Sequence, residues 1–415
     1  MGHAVCCECV EDSYLSKIIE EDGVPVECSV CGDDIHNAFT VEELGKLLEP
    51  IMREHFALGP DVRKFGDDDS YWDEQEGDPM SWAVQEVLGQ YFDFEDEIVD
   101  AVCDAEDCWP PDGDIPFWDT SCLYVETKAN SRPYFERWHY TLDELKHGRR
   151  FFSPAAQTLF AALFDGVEQL KVWVDKSTQP VVRQIDVGTK LFRARICNSR
   201  TMLPDFYQDP FKHVGPPPRE KARAGRMNAE GVAVFYGALE EDTCLAEMRP
   251  ALGNELVIIT LETTKPLYVL DFSRLERAWG GKALSYFQPD FTEQVEKHAF
   301  LRHIHRLISQ PIVPGRESDY LITQTMAEYL AHMHPKPFDG ILFASSQHEK
   351  GTNVVLFADT TMLVGELFGL TYVPESIRLF STTSIQYEHY EMKVAVGDDG
   401  VPWVYHGHED DQGDE

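Results

Sequence analysis

The chain has 415 residues, 43% of them hydrophobic, which is too long for one ordinary domain and too apolar for a disordered polymer, so two or three packed cores are expected. Its 36 Lys and Arg against 73 Asp and Glu leave a net charge of −37, which repels phosphate backbones and acidic membrane surfaces and argues against nucleic-acid or membrane binding. The start, MGHAVCCECV, has no basic leader followed by an apolar run, and no eighteen consecutive apolar residues occur, so a cytoplasmic location is expected. Gly2 is no myristoylation signal, because Cys6 stands where Ser or Thr is needed.

Ten cysteines are too sparse for a secreted disulfide framework, yet five lie in the first 31 residues. Cys6 and Cys9 form one C-x-x-C, Cys28 and Cys31 another, with eighteen residues between the pairs. Each knuckle can turn two thiolates towards a metal, and four thiolates complete a tetrahedron with no position open to water. Residues 1–35 are therefore expected to form a structural zinc knuckle. Cys7 is a spare that can replace Cys6 or Cys9 if the turn runs differently.

Thr40 and Glu43 make a T-x-x-E capping box, and Leu44, Leu47, Leu48, Ile51 and Met52 recur at helical spacing, predicting a helix of about four turns. From Phe65 to Thr127 there are twenty carboxylates and no Lys or Arg, interleaved with Trp72, Trp82, Phe92, Phe94, Trp109 and Trp118. Such a mix folds, with the acids as a solvated face. Cys103, Cys108 and Cys122 lack the paired knuckles of a second metal site. Ser153 and Pro154 read as N-cap and first residue of a helix whose apolar stripe runs from Leu159 to Leu170. Residues 36–180 are expected to be an acidic, mainly helical regulatory domain.

Between Lys190 and Arg226 the charge inverts: nine basic residues, Arg193, Arg195 and Arg226 among them, face only Asp205, Asp209 and Glu220. Guanidinium groups offer planar paired donors to phosphate oxygens, so this island suits a pyrophosphate or another compact polyanion. It is too small for duplex DNA. The next segment, AGRMNAEGVAVFYGALEEDTCLAEMRP, predicts a turn bearing Arg226, a strand from Val232 to Leu239, and a short helix capped by Asp242 and ended by Pro250. Strand alternation puts Val232, Val234 and Tyr236 on one face, and the helix can return Glu247 to the same edge. A capped helix beginning near Ser318 leads through Pro335 and Pro337 into a strand, a polar loop and a second strand, with Ser345, Ser346 and Asn353 in the loop region. The histidine pairs His303/His305 and His332/His334 are spaced i, i+2, which places their members on different helix faces and argues against metal binding.

LFRARI with Arg193 and Arg195, GRMNAEGVAVFYGA with Arg226 and Tyr236, CLAEMRP with Glu247, and DGILFASSQHEKGTNVVLF with Ser345 and Asn353 together resemble the RES family, named for an arginine, a glutamate and a serine. The resemblance covers roughly residues 187–370. Met227 and Ala344 depart from residues common in the family, and Ser346 competes with Ser345 as the family serine. The resemblance implies an α+β chain: a zinc knuckle and a helical domain similar to HEPN extensions, then a mixed α/β catalytic domain with an ADP-ribosyltransferase-like core. A C-terminal extension with an acidic tail would occupy residues 371–415.

The resemblance further implies an NAD-consuming enzyme of toxin–antitoxin or phage-defence type that breaks the nicotinamide–ribose bond and passes ADP-ribose to phosphate, water or a protein side chain. Glu247 would stabilise the ribose cation, Arg193, Arg195 and Arg226 would hold the pyrophosphate, and inorganic phosphate could join NAD as a second ligand. Tyr236 would meet the nicotinamide, while Ser345 or Ser346, with Asn353, would orient ribose hydroxyls or the amide. An antitoxin or a built-in regulator would restrain such an enzyme. The alternatives are a protein ADP-ribosyltransferase of the same fold, a HEPN ribonuclease using the R-x(6)-H pattern from Arg132 to His139, and a non-catalytic zinc-dependent interaction protein. Pro133 is expected to interrupt the helix that the ribonuclease pattern needs.

Overall fold

The structure, a computed structural model, describes residues 2–65, 71–106, 116–128, 130–174, 176–278, 284–309, 317–359, 368–385, 393–396 and 402–405. Cys108, Trp109 and the acidic tail 406–415 lie outside them. The fold is α+β. Two units divide the chain: residues 1–184, 223–232 and 268–343 form the first, and residues 185–222, 233–267 and 344–415 the second.

In the first unit, the Thr40 box closes as expected. The Thr40 hydroxyl accepts the Glu43 N–H and the Glu43 carboxylate accepts the Thr40 N–H, starting the helix Val41–His55; such a cap contributes about 1 kcal/mol. Leu44, Leu48 and Met52 from this helix are buried with Leu15 and Ile19 of helix Ser13–Asp22, Val84 and Val87 of Met80–Leu88, and Ile98 and Val102 of Glu95–Asp104. Two of these helices touch backbone to backbone at Gly45, where an added Cβ would sit 2.5 Å from the Ala101 carbonyl. The acidic run folds onto the same core. Phe92, Phe94 and Trp118 are buried, and the indole N–H of Trp118 donates to Glu49 at 3.1 Å. Glu95, Asp96 and Glu97 occupy the first turn of their helix, where the helix dipole favours them.

Short strands interrupt the expected helical stretch: Phe56–Leu58 and Asp78–Pro79 flank Leu123–Glu126, and Asp61–Phe65 pairs with Tyr71–Gln75. The helix predicted at Ser153 forms as Pro154–Phe164, with the Ser153 hydroxyl accepting the Ala156 N–H. With Arg132–His147, Phe291–Ser309 and Leu321–Glu328 it makes an aromatic layer in which Phe300 meets Tyr134 at 5.8 Å and Trp138 at 5.9 Å between ring centroids. Strands Leu267–Asp271 and Gly340–Ala344 run parallel, with Val269 opposite Gly340. Among the described residues no helix is long and apolar enough to cross a membrane.

The second unit is built on an antiparallel sheet. Its order runs Thr352–Phe357, Val234–Ala238, Lys190–Cys197, Glu255–Thr263, Leu370–Tyr372, and Arg378–Ser381 also pairs with Glu255–Thr263. The interior strand Glu255–Thr263 reads ELVIITLET and is buried almost throughout, as a strand covered on both faces should be. The short helix Glu241–Glu247 packs through Cys244 on Ala194, Ala238 and Ile258 of three adjacent strands.

Local expectations need four corrections. The strand begins at Val234, not Val232. Asn228, buried in the first unit, donates through Nδ2 to the carbonyls of Arg223, Ala229 and Val232 at 2.8, 3.1 and 2.9 Å, and so turns the chain until just before the strand. Asp242 is not the cap: the helix starts at Glu241 behind Glu240, without a side-chain cap bond. It also ends at Glu247, before Pro250, because Arg249 takes a left-handed backbone with φ 43°. Ser318 lies in a 3-10 turn, Glu317–Tyr320, and the following helix starts at Leu321.

Candidate active site and cysteine cluster

Glu247, Ser345 and Asn353 meet in the second unit. The Ser345 hydroxyl donates to Glu247 Oε1 at 2.6 Å, and the Asn353 amide donates to the same oxygen at 2.7 Å. Each comes from a different element. Glu247 closes the short helix, Ser345 follows the strand Gly340–Ala344, and Asn353 lies inside the strand Thr352–Phe357, facing Ala238 across the ladder. Asn353 is thus a buried strand residue and not part of the loop where it was expected. Its period-2 position turns one amide inward from a strand that is otherwise apolar on both faces, VVLF, and that break in the pattern was the available signal.

Ser345 is itself held. Its Oγ accepts the backbone N–H of Gln347 at 3.0 Å and of His348 at 3.1 Å, while its own N–H donates to the Gly351 carbonyl at 2.8 Å. With two N–H groups filling its lone pairs, the hydroxyl hydrogen is directed at Glu247. Ser346 is exposed, and its hydroxyl accepts from the Gln347 side chain at 3.1 Å. Glu247 is half-buried and, among the described residues, carries no ion pair.

Arg193 and Arg195 alternate onto one face of the strand Lys190–Cys197. The Arg193 Nε–H donates to the Val214 carbonyl at 2.9 Å and one of its Nη groups donates to the Tyr236 carbonyl, so the side chain ties its own strand to the next and to the short helix Pro210–Val214. Burial, with Arg195 alongside, pushes Arg193 down to about 10. Burial also lowers Arg195, which reaches the Gly215 carbonyl at 3.5 Å. The second Nη group of Arg193 has no protein partner among the described residues. Cys244 records the local field: burial pushes its thiol up to about 12, the Arg193 guanidinium draws it down, and the Glu247 carboxylate pushes it up. One thiol therefore lies within electrostatic range of both the arginine and the glutamate. Tyr236 is half-buried on the strand beside Arg193.

Two arginines of the basic island have local partners. Arg200 is exposed and closed off by Glu255, with Nε at 3.0 Å from Oε1. Arg226 folds with the first unit, where its guanidinium donates to the Ile308 carbonyl and its own carbonyl accepts from Thr323 at 2.6 Å.

A second polar group, absent from the sequence expectations, lies beside Glu247 and Ser345. Thr243 Oγ1 is 3.0 Å from Glu240 Oε2 and 3.0 Å from His348 Nδ1, and Glu240 Oε2 also accepts the Thr352 N–H at 2.8 Å. Glu240 and Thr243 share a three-residue spacing at a helix start, which was the only sequence signal for them.

In the first unit the Sγ atoms of Cys6, Cys9, Cys28 and Cys31 lie within 4.8 Å of one another. Cys6 and Cys31 are 3.8 Å apart, and a tetrahedron with Zn–S bonds of about 2.3 Å has an edge of about 3.8 Å, so the donor set fits zinc. The backbone favours thiolate at Cys28. At Cys28 burial works against the anion, but backbone N–H groups of Cys31, Cys6 and Val30 outweigh it and bring the thiol down to about 7. Burial pushes Cys6 and Cys9 up, a state suited to protonated thiols without a metal. Cys7 takes no part in the tetrad and packs in the helical core with Leu15 and Ile19. Its Sγ does lie near Glu8 and His36 in a second group of three. Cys103 turns to Met80 Sδ at 3.7 Å.

The other sequence motifs are engaged locally. Arg132 bonds Glu136 at 2.9 Å one turn along, and His139 Nδ1 lies 2.8 Å from the Phe135 carbonyl; both residues are exposed. Pro133 does not interrupt this helix as expected. It sits in the first turn, where a missing N–H is harmless. His334 lies beyond the helical segment and is buried, with its ring nitrogens 2.8 Å from the Lys336 carbonyl and 3.0 Å from the Phe164 carbonyl.

No curated protein and no solved structure matches the chain. A family model does: residues 190–367, which span every element around Glu247, match the RES domain.

Proposed function

We propose that the chain degrades NAD by breaking the bond between nicotinamide and ribose, with Glu247 as the catalytic carboxylate. The observation that carries this reading is the Glu247 carboxylate oxygen held at 2.6 and 2.7 Å by Ser345 and Asn353, inside a segment that matches the RES domain. In the reaction the electron pair of the C1′–N bond leaves with nicotinamide, which becomes neutral, and the ribose carbon acquires oxocarbenium character. A carboxylate oriented beforehand stabilises that positive charge more than it stabilises the bound substrate, which is the requirement for lowering a barrier. Ser345 and Asn353 both donate to Oε1, which leaves Oε2 to face the sugar.

Arg193, with one Nη group uncommitted, and Arg195 beside it supply the cations for the pyrophosphate. Tyr236 lies on the adjacent strand and serves the nicotinamide side. The cation is then captured by an oxygen of inorganic phosphate, giving ADP-ribose 1″-phosphate, or by water, which releases a proton. Arg226 is assigned to the pyrophosphate on resemblance alone. Zinc held by the cysteine tetrad is structural in this scheme, since four thiolates leave no ligand position for chemistry. A cytoplasmic enzyme that removes NAD requires restraint, and an antitoxin or other regulatory protein is the partner assigned to it.

The test is to incubate purified protein with NAD, with and without phosphate, and to follow free nicotinamide by chromatography. Release by the wild-type chain and none by Glu247→Ala is expected. Absence of release under both conditions rejects the reading, and the identity of the ADP-ribose product separates phosphate from water as acceptor.

A further inference from the structure

Glu247 and Ser345 are carried by two elements, and a polar chain through a buried threonine joins those elements. Thr243, one turn before Glu247 on the helix Glu241–Glu247, is 0% exposed. His348 comes three residues after Ser345 in the loop between the strands. The Thr243 hydroxyl has one hydrogen and two neighbours, Glu240 Oε2 at 3.0 Å and His348 Nδ1 at 3.0 Å. An ionised carboxylate only accepts, so the hydroxyl donates to Glu240 and accepts from His348, whose Nδ1 must carry the hydrogen. The bonds then run in one direction, ring to hydroxyl to carboxylate. Glu240 also receives the Thr352 N–H at 2.8 Å, immediately before Asn353.

The loop leaves no slack around this bond. Gly351 N–H donates to the His348 carbonyl at 3.0 Å, and a Cβ on Gly351 would fall 2.2 Å from Thr243 Oγ1 and 2.9 Å from His348 Nδ1. The His348 N–H in turn donates to Ser345 Oγ, the atom that donates to Glu247. Asn353 is fixed by the sheet ladder, but Ser345 sits in a loop, and its distance from Glu247 depends on what holds that loop to the helix.

We propose that His348 is a positioning residue of this site: through Thr243 it clamps the Ser345 loop onto the helix that carries Glu247, and so sets the orientation of the catalytic carboxylate. The inference rests on the reading of Glu247 given above. Misplacement of a catalytic group by about 1 Å costs on the order of a hundredfold in rate, so releasing the clamp should lower turnover and leave substrate binding nearly unchanged.

Nicotinamide release is measured for the wild-type chain and for Glu247→Gln, Thr243→Val, His348→Ala, His348→Asn and Gly351→Ala, together with melting temperature and amide exchange over residues 345–352. Thr243→Val and His348→Ala should lose about tenfold or more in kcat with KM held within about twofold. Gly351→Ala should behave similarly, and His348→Asn, which keeps a donor for the hydroxyl, should recover most of the loss. The amides of Gln347 and His348 should exchange faster in Thr243→Val and His348→Ala at little change in melting temperature. Wild-type kcat in those two variants, beside an inactive Glu247→Gln, overturns the clamp and leaves the function standing. A loss that His348→Asn does not recover and that tracks a falling melting temperature also overturns it. Undiminished release by Glu247→Gln rejects the underlying reading instead.

Discussion

The cysteine tetrad and the Glu247 group are both four-residue constellations, but the chain assembles them in opposite ways. Cys6, Cys9, Cys28 and Cys31 lie within the first 31 residues, on two knuckles whose turns alone bring the sulfurs together in pairs. Glu247 finds its partners 98 and 106 residues later, and Arg193 stands on another strand again. The tetrad has the donors of a chelate, in which a metal would gather ligands from flexible turns and contribute the folding free energy itself. The glutamate has no such organiser, and it relies on the sheet to deliver each partner. The two groups should therefore fail differently when perturbed.

The largest effect is expected at the carboxylate. Glu247→Gln should reduce nicotinamide release by about a hundredfold to a thousandfold, since it removes the charge that meets the ribose cation, and elemental analysis should find the same metal content as in the wild-type chain. Cys28→Ser should do the reverse: zinc affinity falling by more than about a hundredfold, with loss of amide protection over residues 4–40 and retention over residues 190–197. Acid should act on the same site, because protons compete with metal for thiolates. In the metal-free site Cys28 is brought down to about 7 from an ordinary 9.0, so its contribution is complete above about 9 and disappears as pH falls through about 7. Zinc release on acidification, followed with a chromogenic chelator, checks this.

Arg193→Lys tests whether the sheet side of the comparison depends on one fork. Lysine cannot span the Val214 and Tyr236 carbonyls together, and loss of a charged donor to a carbonyl costs about 1.5–3 kcal/mol, readable as a lower melting temperature alongside weaker NAD binding. The smallest effect is at the end of the glutamate helix. Arg249 holds a left-handed backbone that glycine adopts freely, so Arg249→Gly should stabilise the fold by about 1 kcal/mol in denaturant titration with little change in metal content.

Legibility of the sequence follows the same division. The capping box of Thr40 and Glu43, the Ser153–Pro154 helix start and the two C-x-x-C knuckles are signals closed within a few residues, and each appears where its spacing put it. The strand and short helix before Glu247 are present too, although Val232 falls outside the strand because Asn228 holds the preceding turn. Charge counted along the basic island says nothing of which distant acid meets a given cation. Arg200 pairs with Glu255, 55 residues away, and no local pattern announces that pair.

The amino-acid sequence alone determined the two C-x-x-C pairs, the helix starts and the residue pattern of the segment that matches the RES domain, because each depends on residue type and short spacing. Only the tertiary structure decided that Ser345 and Asn353 share one oxygen of Glu247, that Cys7 belongs to the core, and that Thr243 and His348 join two site-bearing elements. Those outcomes depend on strand register and on which buried polar atoms must find a partner, and a buried donor is satisfied by whatever the packed fold places within 3 Å of it, however distant in the chain.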